Sequence, residues 1–150
     1  MERIKVKMKN VSGDKFGAVP EYETPGSAGV DLRASLERKI VLQAGETVKV
    51  PTGWVIKLPD SQVVALVFAR SGLAANYGVA LANGVGVIDS DYRGEIQILI
   101  SNNGPEPFII HHGDRIAQML FMPIIRAEFE IVEDLEETLR GEGGFGSTGK

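Results

Sequence analysis

The spacing of glycine and proline between short apolar runs constrains this chain more than any other feature. The 18 glycines and 7 prolines cut most of the sequence into runs too short for packed helices, which is the pattern of many short β-strands. At the start, Ile4, Val6 and Met8 alternate with Arg3, Lys5, Lys7 and Lys9. That period of two turns one face toward a core and the lysines toward water, so a first strand is expected there. The runs at 48–50, 54–58, 63–68, 96–100, 108–110, 116–122 and 129–132 read as further strands. Turn residues separate them at Ala44-Gly45, Pro59-Asp60, Asn103-Gly104-Pro105 and His112-Gly113-Asp114. Only residues 71–76 suit a helix, with Ser71 as the cap and Leu73, Ala74 and Ala75 carrying it on. The expectation is an all-β chain, a jelly-roll sandwich or distorted barrel, with one short helix.

A length of 150 residues fits one domain. No stretch approaches the roughly 20 apolar residues of a membrane-spanning helix, and the N-terminus lacks the apolar block of a secretory signal. A cytoplasmic location is therefore the default expectation, with no membrane partner. With Cys 0 there is no thiolate chemistry. The net charge of -4 argues against a broad nucleic-acid surface, so any phosphate is expected to meet a few placed groups. From Glu133 the chain turns acidic and then glycine-rich, which divides it into a β core at 1–133 and a C-terminal arm at 134–150. Phe145 among the glycines, with Arg140, Ser147 and Thr148, makes the arm suited to closing over a phosphate-bearing ligand. His111 and His112, adjacent at a turn, make a poor chelate.

Five blocks occur in order. They are Ala28-Gly29-Val30-Asp31-Leu32, Arg70-Ser71-Gly72-Leu73-Ala74, Gly86-Val87-Ile88-Asp89-Ser90-Asp91-Tyr92-Arg93-Gly94, Arg115-Ile116-Ala117-Gln118-Met119 and Arg140-Gly141-Glu142-Gly143-Gly144-Phe145-Gly146-Ser147. In order and spacing the set resembles the five motifs of the trimeric dUTPase family. One departure is Ala69, where the family commonly has proline; it removes no functional group.

The resemblance implies hydrolysis of dUTP to dUMP and pyrophosphate, the dUTP diphosphatase reaction, by in-line attack of water at the α-phosphate. Asp89 matches the residue that orients and deprotonates the water. Asp31 matches the first-motif aspartate beside the Mg²⁺ and its waters, with the metal held mainly by substrate phosphates. Arg70, Ser71, Gly72 and Gln118 match phosphate binders, and Arg140, Gly146 and Ser147 would add contacts from the arm. A hairpin spanning the third motif, at Asn83, Val87, Ile88 and Gln97, would read uracil through its backbone. Tyr92 would lie against the deoxyribose and leave no room for a 2′-hydroxyl, and Phe145 would stack on the base. The family's homotrimer, with active sites shared between subunits, is implied too. So is its role, keeping uracil out of DNA and supplying dUMP for thymidylate synthesis.

Two rivals compete. A dCTP deaminase shares the fold and much of the third block, but the glutamate that moves protons there falls at Leu99. A non-catalytic nucleotide-binding β protein would not need every chemical position filled. The G-x-x-x-x-G-K string at 144–150 is a coincidence of the glycine-rich tail, because no helix can follow it.

Overall fold

A computed structural model describes residues 3–13 and 19–145. Its elements in chain order are β1 (Lys7–Asn10), β2 (Val30–Arg33), β3 (Ile40–Leu42), β4 (Thr47–Pro51), β5 (Trp54–Lys57), β6 (Val63–Phe68), α1 (Ser71–Tyr77), β7 (Val79–Leu81), β8 (Gly86–Ile88), β9 (Gln97–Asn102), β10 (Phe108–Ile110) and β11 (Arg115–Pro123). Strand pairing is antiparallel throughout and makes four small sheets: β1-β5, β10-β3, β2-β11-β6-β8 and β4-β9-β7. None closes on itself. The all-β reading with one short helix thus holds, as sheets folded over a shared core.

Sequence pattern explains which strands lie deepest. The run Val63-Val64-Ala65-Leu66-Val67-Phe68 has no polar residue, and β6 accordingly sits between β11 and β8. In β9 the alternation is regular, with Ile98, Ile100 and Asn102 buried and Gln97, Leu99 and Ser101 facing outward. Leu32, Val50, Ala65, Ile110 and Ala117 are fully enclosed in the common core. Asn102, buried among them, donates to the carbonyls of Leu42 and Glu106 and accepts from Gly104 N–H. Its amide is thereby satisfied, as a buried polar group requires.

Several sequence expectations need correction. The first strand begins at Lys7 rather than near Ile4. Residues 129–132 form no strand; Phe129 and Ile131 stand almost wholly in solvent, since the segment pairs with no strand among the described residues. β2, β3, β7 and β8, each of three or four residues, escaped the sequence reading. Ser71 is not the cap of α1. Arg70, in extended backbone, takes that position, and its carbonyl accepts from Leu73 and Ala74 N–H. Ser71 already has helical geometry. At the other end Gly78, with φ of 69°, returns its N–H to Ala74.

Candidate active site

Two features of the fold collect the residues singled out from sequence. The first is a cavity of about 200 Å³. Its walls include Val67, Leu81, Asn83, Gly86, Val87, Ile88, Asp89, Tyr92, Glu95, Gln97 and Leu99. Six of these, Asn83, Val87, Ile88, Asp89, Tyr92 and Gln97, were sequence candidates. They do not form the expected hairpin: β8 pairs with β6 and β9 pairs with β4 and β7, in different sheets. The chain changes sheet between Leu81 and Gly86, through a turn closed by Gly84 N–H on the Leu81 carbonyl, and the cavity lies at that change. β8 is an edge strand, so backbone groups facing away from β6 remain open to a ligand. Gly86 permits its close approach, because a Cβ there would press on Val67.

The cavity rim is built by the loop from 89 to 94. Asp89 is exposed, and no described residue hydrogen-bonds its carboxylate. The Asp89 carbonyl accepts from Tyr92 N–H, and Arg93 donates to the carbonyls of Ser90 and Tyr92, both at 2.8 Å. Tyr92 is no core residue. Its ring lies over Gly94, where any side chain would collide with it, and its hydroxyl donates to the Glu95 carbonyl. The walls carry two acids, Asp89 and Glu95, and no lysine or arginine.

The second feature is an ion-pair cluster on β2 and β11. Asp31, Gln118 and Phe68 lie level across β2, β11 and β6. The Asp31 Oδ1 accepts from Arg70 Nε at 3.1 Å and its Oδ2 from an Arg115 terminal nitrogen at 3.2 Å, while the same Arg115 nitrogen donates to Glu23 at 2.8 Å. A second Arg70 nitrogen donates to the Arg115 carbonyl. In a regular strand Arg115 and Gln118, an odd number apart, would face opposite ways. A bulge in β11 between Arg115 and Ala117 absorbs one residue and brings both to the Asp31 face. Gln118 donates its amide to the Ala69 carbonyl at 3.0 Å. Proline would offer the same carbonyl, which explains why alanine serves at 69. Gly29 lets β2 pass close to Leu120 and Gln118.

Ser71 and Gly72 are exposed at the start of α1, next to Arg70. Arg140 donates to the Gly143 carbonyl, and Phe145 is fully exposed at φ 48°; neither lines the cavity. Gly146, Ser147 and Thr148 lie outside the described residues. His112 Nδ1 accepts from Leu36 N–H at an exposed turn, and no group of three or more metal-ligating side chains occurs among the described residues. Sequence reasoning missed Glu23, Glu95 and the part of Arg115. Arg115 and Glu95 sit inside or beside motif blocks, which was an available signal; Glu23 had none.

The family model for dUTPase matches residues 4–149. The chain belongs to the dUTPase family. It is 58% identical over 149 residues to the deoxyuridine 5'-triphosphate nucleotidohydrolase of Desulfitobacterium hafniense (strain DSM 10664 / DCB-2), covering 99% of each chain. The Escherichia coli O9:H4 (strain HS) enzyme of the same name is 47% identical over 150 residues, covering 100% of this chain and 99% of that one. Among solved structures, Staphylococcus bacteriophage 80alpha dUTPase with dUPNHPP superposes with a TM-score of 0.85 at 26% identity, covering 97% of this chain and 99% of that one.

Proposed function

We propose that this chain hydrolyses dUTP to dUMP and pyrophosphate, and that it does so only as a homotrimer whose sites combine the cavity of one copy with the arginine cluster of another. The observation that carries the proposal is the separation of charge. An uncharged base and sugar suit a cavity of about 200 Å³ without cations, below the roughly 300–1,000 Å³ of drug-sized ligand pockets. A triphosphate needs the arginines, and they stand elsewhere. Ile88 is level with Ala65 and Asp31 with Phe68, so three residues along the strands and three strand spacings separate them, roughly 17 Å at ordinary sheet dimensions. Such a gap favours a site whose two halves come from different copies.

The surface supports association. β1 has a free edge and alternates Lys7 and Lys9 with Met8, while Lys57 stands opposite Lys7 in register. Beyond Pro123, as far as Phe145, the described residues run on without strand or helix, with Glu128, Glu130 and Glu133 interleaved with exposed Phe129 and Ile131. An acidic, alternating segment complements a basic, alternating edge. Exposed apolar side chains of this kind belong in a contact. The β core at 1–133 then supplies the two halves of the site and the arm at 134–150 its cover, with Arg140, Gly146 and Ser147 on the phosphates and Phe145 on the uracil.

In the assembled site Asp89 takes the proton of a water aimed at the α-phosphorus, and pyrophosphate leaves opposite. Open backbone at β8, with Asn83 and Gln97, reads the uracil edge, rejecting cytosine by mispaired groups and thymine by its methyl. Tyr92 excludes the ribose 2′-hydroxyl. Arg70, Ser71, Gly72 and Gln118 hold the phosphates. Asp31 fits a place beside Mg²⁺, since its oxygens keep lone pairs for a metal-bound water after accepting from two guanidiniums. When bound, Mg²⁺ would neutralise charge on the leaving pyrophosphate. Equally, Asp31 fixes Arg70 and Arg115. Leu99, in the cavity wall, offers no proton to a cytosine ring, which counts against deamination. A cytoplasmic place in nucleotide metabolism fits this chemistry, with dUMP passing to thymidylate synthesis.

The test is pyrophosphate release from dUTP with Mg²⁺, run beside dCTP and UTP. We expect dUMP and pyrophosphate from dUTP and no ammonia from dCTP. Tight dUTP binding without turnover would favour a regulatory protein instead.

A further inference from the structure

The third motif block ends at Gly94, and the residue after it ties the cavity rim to a distant turn. Tyr92 lies across Gly94 and donates its hydroxyl to the Glu95 carbonyl at 3.1 Å. The Glu95 side chain reaches the other way, and its Oε1 accepts the Gly53 N–H at 2.7 Å. Gly53 is buried in the turn between β4 and β5 at φ +76°, where a Cβ would press on Ser12 and Ser35. That turn can neither shift nor accept another residue cheaply. Beside it, Thr52 donates both its N–H and its hydroxyl to the Ile96 carbonyl, at 3.1 and 2.7 Å, and Ile96 N–H returns to the Trp54 carbonyl at 2.8 Å. Glu95 and Ile96 are therefore fastened to residues 52–54, whereas the loop from 89 to 93 ahead of them is largely exposed. Tyr92 bonds the fastened end.

We propose that Glu95 is a positioning residue for Tyr92, and that its carboxylate, by holding Gly53, sets the height of the tyrosine ring over the sugar. Discrimination between deoxyribose and ribose then depends on a turn that touches no substrate. The inference rests on Tyr92 being the sugar contact. An acceptor is what the geometry requires at Glu95; a negative charge is not, since a buried N–H is satisfied by any well-placed oxygen.

Steady-state hydrolysis of dUTP and UTP by the full-length wild type and by Tyr92→Ala, Glu95→Ala, Glu95→Asp and Glu95→Gln tests this. Glu95→Ala is expected to lower the dUTP-over-UTP ratio of kcat/KM by about tenfold, chiefly through a lower KM for UTP, with kcat for dUTP within about threefold. Glu95→Gln keeps an oxygen in place and should stay within about twofold of wild type. An unchanged ratio in Glu95→Ala overturns the inference whatever happens to stability. So does a fall of kcat at constant KM in Glu95→Gln, which would make the carboxylate a chemical participant. Should Glu95→Ala not fold, Glu95→Asp, with its acceptor withdrawn by one methylene, is judged by the same ratio. An unchanged ratio in Tyr92→Ala would instead sink the sugar-contact reading.

Discussion

The cavity between β8 and β9 and the cluster around Asp31 use charge in opposite ways. In the cavity, Asp89 stands exposed on the rim, its carboxylate without a hydrogen-bonding partner among the described residues, and no cation lines the walls. Around Asp31 two arginines share one carboxylate that is 15% exposed, and a second acid, Glu23, holds Arg115 from the other side. A carboxylate left open can take a proton from water; one held by two guanidiniums serves to aim them. The two regions thus resemble the halves of one reaction, water activation with base selection in the first and anion capture in the second.

Removing charge at each half should sharpen this contrast. The largest effect is expected for Asp89→Asn: pyrophosphate release falls by about 10²- to 10⁴-fold while calorimetry still detects dUTP binding. Near-normal turnover would take Asp89 out of its role. Next comes deletion of the chain from Arg140 onward, which should cut kcat/KM by roughly 10- to 100-fold through the lost phosphate and base contacts. Its melting temperature should not change, since Arg140 to Glu142 and Phe145 are exposed and none of the described arm residues belongs to the core. A smaller effect is expected for Asp31→Asn, which leaves two guanidiniums without their shared anion. Denaturant titration should find about 1–3 kcal/mol lost for so enclosed a partner, with KM for dUTP raised and Asp89 chemistry intact. The smallest is Ala69→Pro, where the carbonyl that orients Gln118 persists and kcat/KM should stay within about twofold.

These contrasts also show where sequence stops being readable. β6 and β9 announced themselves, one by an unbroken apolar run and the other by strict alternation. The bulge at Ile116 did not. It depends on how β11 registers against β2, and without it Arg115 would point away from Asp31. Ser71 looked like a cap by residue type, yet capping is decided by backbone dihedrals, and the extended residue was Arg70. The hairpin that the family resemblance implies at the third block does not form, because tertiary packing sends β8 and β9 to separate sheets. At 129–132 the alternation is genuine and the strand is absent, as the proposed contact with another copy would require. Local pattern reports what a stretch can pair with, and only the fold reports whether the partner is in the same chain.

Mixing two inactive variants tests the division of the site between copies most directly. Asp89→Asn keeps a sound arginine cluster, and Arg70→Ala keeps a sound cavity. If each site draws these halves from different chains, unfolding and refolding the two together should restore about a quarter of wild-type dUTP turnover, the share of interfaces that pair two intact halves in random trimers. Activity no greater than the sum of the two variants alone would mean that one chain supplies both halves, contradicting a site assembled across the subunit contact.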